Sequence, residues 1–230
     1  VLDAMRHKGD SVLRDVAFVN PATSMLKEYT AMPPRQYRPG DMRDDLELLI
    51  TNRFSNELAT NYGYRIYDES GRVVHEYDGG FENAPVYWNG AVYQTSAAHA
   101  NPELTYIFAA GMTEPTSYTI VHGLREGVSG DPYPQNDTIR FTQVFDNYYA
   151  YDDGTAENGY GITSTMPKVK LACRFDLAEA DTLTAVNLYF NRTYHSQNED
   201  IRFFITVWDD ANGRPGNIIY KDQGRRKPQF

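Results

Sequence analysis

The chain is short of several things that would have narrowed its role. It has a single cysteine, Cys173, in 230 residues. One cysteine excludes an internal disulfide and any cysteine-rich metal centre. In a strand-like stretch it reads as a small apolar side chain. Basic residues are outnumbered, 22 Lys and Arg against 31 Asp and Glu, for a net charge of −9. The one dense basic run is Arg225-Arg226-Lys227. Phosphate backbones are bound by clustered Lys and Arg, so this balance speaks against nucleic acid. No apolar run is long enough for a membrane-spanning helix. There is no G-x-S-x-G elbow, no H-E-x-x-H, no phosphate loop and no dinucleotide fingerprint. The five histidines (His7, His75, His99, His122 and His195) are scattered without ligand spacing. A non-enzyme is the expectation. The chain also opens at Val1 rather than Met and ends soon after a strand-like run, which reads as a piece of a longer multidomain protein.

Aromatic residues are abundant instead. They make up 13% of the chain, and 18 of them are tyrosines. Tyrosine suits half-buried pleated surfaces, because its ring is apolar and its hydroxyl can stay wet. Helical periodicity is confined to Ala4–Leu13. Period-two alternation is common. Leu46, Leu48 and Ile50 alternate with Glu47 and Thr51. Tyr62, Tyr64 and Ile66 alternate with Gly63 and Arg65. Ile201, Phe203, Ile205 and Val207 form one face of a strand whose other face is also apolar, which predicts a central position. Further strands are expected at Val12–Asn20, Leu104–Gly111, Ser117–Gly123, Thr138–Val144, Lys170–Asp176 and Thr182–Phe190.

Turn chemistry separates these runs. Asp68-Glu69-Ser70-Gly71 predicts a hairpin. Asn89-Gly90 predicts a tight hairpin, where both central residues take positive φ, and Asn212-Gly213-Arg214-Pro215-Gly216 closes a further turn. Met32-Pro33-Pro34-Arg35 and Arg38-Pro39-Gly40 read as an extended, polyproline-like edge. The fold class is therefore all-β: two β-sandwich domains, an Ig-like one over residues 12–144 and a second over 146–230. The second is jelly-roll-like but short of strands, and so reads as incomplete.

Two acidic loops invite a cation. Asp152, Asp153 and Glu157 lie in a Gly-containing loop that could wrap Ca²⁺ in oxygen ligands, though capped turns use the same residues. Asp209-Asp210-Ala211-Asn212-Gly213 has the composition of a Ca²⁺ loop in the wrong register and reads as a hairpin turn. Tyr148, Tyr149, Tyr151 and Tyr160 flank the first loop, and Trp88 flanks Asn89-Gly90. These rings are candidates for a carbohydrate platform; the alternative is core packing. Asn136-Asp137-Thr138 and Asn191-Arg192-Thr193 match the N-glycosylation triplet. Ser11, Thr138 and Thr182 each sit in an Asp-(Ser/Thr)-aliphatic triplet, which resembles the O-glycosylation acceptor of exported Bacteroidetes proteins.

The segments Phe145–Gly161, Ala185–Asn191 and Val207–Gly216 together resemble the penultimate region of large exported proteins of Bacteroidetes, which end in a type IX secretion sorting domain. The first half more loosely resembles a CARDB or Ig-like adhesion module. The resemblance implies export to the cell surface or beyond, and contact with a protein or glycan there. It implies no activity. The leading expectation is a structural or adhesive region. The alternatives are a carbohydrate-binding module, Ca²⁺-supported or not, and accessory domains of a secreted hydrolase or a component or client of the type IX machinery.

Overall fold

The computed structural model describes residues 14–88, 90–92, 94–127, 132–152, 154, 169–190 and 202–229. The protein is all-β, as the alternation requires. Among the described residues, helix is confined to three single 3-10 turns. None is long and apolar enough to cross a membrane. The chain divides into two compact units, residues 1–153 and 154–230. The boundary expected near 145 thus falls later, because residues 146–152 fold back onto the first unit's own edge strand.

Among the described residues the first unit holds seven strands: β1 (Val16–Phe18), β2 (Ala31–Met32), β3 (Ile50–Asn52), β4 (Leu58–Tyr67), β5 (Val73–Ala84), β6 (Thr116–Glu126) and β7 (Thr138–Phe145). Five make one sheet in the order β2-β7-β6-β4-β5. Every pair in it is antiparallel except β2 with β7. β1 and β3 form a separate antiparallel pair.

Period two decides which face is buried. On β4, Leu58, Thr60, Tyr62, Tyr64 and Ile66 are buried, while Ala59 and Arg65 are exposed. Register puts Ile120, His122 and Leu124 of β6 beside them, then Phe141 of β7 beside Ile120. Val16 and Ile50, from the small sheet, join the same core. So do Met25, Leu26, Tyr37, Leu46, Leu48 and Phe108, from irregular chain. Leu104–Gly111 is therefore not the strand its alternation predicts. It is held by Leu104 N donating to Asp44 O and Leu46 N to Pro102 O. Its alternation reports burial on one side, not membership of a ladder.

The 68–71 hairpin forms as its residues predict. Asp68 accepts from Ser70 N, Ser70 Oγ and Arg72 N, and Gly71 has φ of 77°. Those bonds, led by the Ser70 hydroxyl, hold its carboxyl below the usual range. The proline-rich segment is not extended edge. It forms two 3-10 turns, Pro34–Gln36 and Pro39–Asp41, each opened by a proline whose missing N–H costs nothing there.

In the second unit, β8 (Thr206–Asp210) and β9 (Pro215–Lys221) form a hairpin. Asn212 and Gly213 have φ of 57° and 78°, as the Asn-Gly signal requires. Among the described residues, the expected strands at Lys170–Asp176 and Thr182–Phe190 carry no ladder, and Leu171 and Leu183 are 69% and 62% exposed. The expected central strand pairs, among the named strands, with β9 alone.

β5 is a long edge strand, and a bulge interrupts it. Between Asn61 and Gly63 the partner advances from Phe81 to Asp78, one residue more than β4 does. The Asp78 carboxylate accepts from Asn61 Nδ2 at 2.8 Å and Gly80 N at 2.9 Å, and Gly80 takes φ of 72°. Such a bulge twists an edge away from foreign strands. Gly63 sits against it: a Cβ there would lie 2.6 Å from the Tyr77 carbonyl oxygen. Gly63→Ala is expected to destabilise the first unit by about 1–3 kcal/mol in urea unfolding. A change within about 0.5 kcal/mol, the size of a neutral surface substitution, would contradict that packing.

Candidate functional site

The site is built on β7. Gln143 points inward and is fully buried. Its Oε1 accepts from Ser24 Oγ at 2.7 Å and Met25 N at 3.2 Å, and its Nε2 donates to Thr30 O at 2.9 Å. The Ser24 hydroxyl also accepts from Leu26 N and lies 2.8 Å from Tyr29 O. One side chain thus pins the irregular run 24–30 to the sheet. Immediately after it, Ala31 and Met32 pair in parallel with Val144 and Phe145.

The chain leaving β7 turns back on this edge. Asp146 N donates to Met32 O, Ala150 N to Ala31 O and Thr30 N to Ala150 O. The Thr30 hydroxyl lies 2.6 Å from Asp152 O and 3.0 Å from Ala150 O. With Ala150 fixed, Tyr149 and Tyr151 fall on the same side of the chain. Both rings reach Tyr29, with centroids at 4.9 and 5.1 Å. Tyr29 is 6% exposed, whereas Tyr151 and Tyr148 are 45% and 48% exposed. The result is a tyrosine edge with a buried root and open rings.

Tyr29 also lines a cleft of about 290 Å³ with Leu26, Lys27, Glu28, Gly40 and Asp41. Its two walls are cross-linked by Lys27 N to Asp41 O at 2.8 Å and Arg43 N to Met25 O at 2.9 Å. Lys27 Nζ donates to Gly40 O, and Asp41 accepts from Arg38 N. The cleft presents one ammonium, two carboxylates and one aromatic wall.

Of the residues singled out from sequence, Tyr149 and Tyr151 come together here on Tyr29, and Tyr148 is exposed next to them in the chain. Trp88 is 47% exposed but follows β5, the opposite edge strand of the sheet from β2. The chain there runs beside β3, with Tyr87 N donating to Asn52 O, and Trp88 is not among the residues lining the cleft. Tyr160, Asp153, Glu157 and Ser11 lie outside the described residues. Asp152 contributes its carbonyl to Thr30. No group of three His, Cys, Asp or Glu side chains among the described residues could hold a metal ion. In the second acidic loop the carboxylates close the turn: Asp210 accepts from Gly213 N, and Asp209 from the backbone and amide of Asn217. Thr138 is exposed at the start of β7, and Thr182 is exposed with its N–H bound to Asp181 Oδ1. Asn136 donates its amide to Asp15. Cys173 is exposed rather than a core residue.

A second cluster unites residues that sequence left scattered. Tyr62 hydroxyl and His122 Nδ1 are 2.9 Å apart, with the rings nearly parallel at 6.2 Å. His99 Nε2–H donates to Thr60 O at 2.6 Å. His75 Nε2 and the Tyr64 hydroxyl both bond the Thr105 hydroxyl. Tyr62 and His122 are each 1% exposed. Burial raises the Tyr62 hydroxyl far above its ordinary range and lowers His122 to about 4. A pair this enclosed meets no substrate; it fills the core and satisfies its own polar atoms.

The pair does make stability depend on pH. Unfolded, His122 takes a proton near pH 6.5; folded, it resists until about 4. Its contribution is therefore complete above pH 6.5 and is lost as pH falls toward 4, amounting to about 3 kcal/mol at roughly 1.4 kcal/mol per pK unit. His122→Gln should flatten the unfolding free energy between pH 7 and pH 4 by about that amount. An unchanged slope would contradict the assignment.

Compared with protein-family models, with curated proteins and with solved structures, the chain matches none.

Proposed function

We propose that the chain is a non-catalytic, adhesive region of a secreted or cell-surface protein, and that the tyrosine edge of its first unit is the contact surface. The observation that carries this reading is the convergence of Tyr149 and Tyr151 on Tyr29, with Tyr151 about half open and Tyr29 also lining a polar cleft. Tyrosine gives large contact area for little lost side-chain freedom, which is why recognition surfaces favour it. Rings rooted in a core are pre-organised, so binding has little ordering to offset.

The acidic surface and the resemblance to exported Bacteroidetes proteins support a role outside the cell. The adhesive reading takes a protein or a glycan of a cell surface as partner. It places no reacting group in the cleft and assigns no catalysis to the histidines, which serve the core.

The test is retention of the fluorescently labelled full chain on fixed bacterial and epithelial cells. Saturable binding is expected on at least one surface. The double variant Tyr148→Ala, Tyr151→Ala should bind about tenfold more weakly, a change worth about 1.4 kcal/mol. Equal binding by the variant, or no saturable binding anywhere, would count against the contact surface.

A further inference from the structure

Resting on that contact-surface reading, we propose that the tyrosine edge and its cleft bind a neutral carbohydrate chain without a metal ion. Three features of the site select this ligand class.

The first is shape. Tyr151 packs on Tyr29 at 5.1 Å yet keeps 45% of its surface open. A flat, supported ring matches the apolar C–H face of a pyranose. Tyr29, buried beneath, supports the Tyr151 ring and lines the cleft, so one sugar can lie on Tyr151 while its neighbour enters. About 290 Å³ is at the lower end of small-ligand clefts, which suits one ring rather than a long segment.

The second is the polar lining. Lys27, Glu28 and Asp41 mix a donor with acceptors on opposite walls. A sugar hydroxyl both donates and accepts, so neighbouring hydroxyls can bridge a carboxylate and an ammonium. An apolar peptide side chain would leave these groups desolvated and unpaired, at a cost.

The third is charge. The chain is at −9, and the cleft's one cation already bonds Gly40 O. That arrangement repels uronates, sulfated sugars and phosphates. The carboxylate of Asp41 accepts from Arg38 N, and among the described residues no group of three His, Cys, Asp or Glu side chains could hold a Ca²⁺ ion.

The experiment is native affinity electrophoresis of the full chain in gels containing xyloglucan, mannan, hydroxyethylcellulose or arabinogalactan, with alginate and polygalacturonate alongside. At least one neutral polymer should slow migration, unchanged by EDTA and by about 0.5 M NaCl, where charge attraction is screened. Tyr151→Ala and Lys27→Ala should each weaken the retardation about tenfold. Trp88→Ala, on the opposite edge, should leave it intact. Tyr148→Ala serves in place of any variant that misfolds by circular dichroism. Retardation by the anionic polymers only, loss in EDTA, or loss in Trp88→Ala but not Tyr151→Ala would each overturn the proposal. So would migration unchanged in every neutral polymer. If cell-surface retention still depended on Tyr148 and Tyr151 in that last case, the contact surface would stand and the sugar would not. If neither depended on them, both readings would fall.

Discussion

The first unit depends on what a single buried amide does. A glutamine carried inward on a sheet costs stability unless all its polar groups are matched. Gln143 is matched by chain from elsewhere: Ser24, Met25 and Thr30 supply the partners. The requirement works in both directions. The amide needs the segment to remain satisfied, and the segment, which has no ladder of its own, needs the amide to hold a fixed path. Everything at the edge follows from that path. Tyr29 is set into the core, β2 is placed against β7, and Thr30 faces the returning chain at Ala150 and Asp152.

The same economy governs the sheet's interior. Its buried face is not purely aliphatic. Tyr62, Tyr64, His99 and His122 sit among Ile66 and Ile120, and their polar atoms are matched to one another or to backbone. Neutral hydrogen-bonded pairs in low dielectric are strong while intact and costly when one member charges. This is a core that favours near-neutral pH. It also demands close fit, which is where the glycines matter: Gly63 and Gly80 let β5 bulge past β4 while Tyr64 and Tyr77 stack at 5.0 Å.

Much of this was legible in the sequence, for identifiable reasons. The all-β class, the alternation on β4 and the 68–71 and 212–213 turns are local properties, set by side-chain period and by residues that accept positive φ. Tyr148, Tyr149 and Tyr151 stood out as a dense aromatic run. What was not legible is non-local. Tyr29, Lys27 and Asp41 carry no motif, and Gln143 lies more than a hundred residues from its partners. Sequence spacing does not connect the histidines, because register brings His122 beside Tyr64. Leu104–Gly111 shows the limit of alternation, which records a buried side and says nothing about pairing.

The central claim is that the Gln143 amide fixes the tyrosine edge. Native-state hydrogen exchange on Gln143→Ala compared with the parent chain tests it most directly. The account predicts that the amides of Met25, Thr30 and Ala150 lose protection by about 30- to 100-fold, the equivalent of the roughly 2–3 kcal/mol that an unmatched buried site costs. Amides in the middle of the sheet, such as those of Tyr64 and Ile120, should change much less. A uniform loss across the sheet, or unaltered protection at Met25, Thr30 and Ala150, would contradict it.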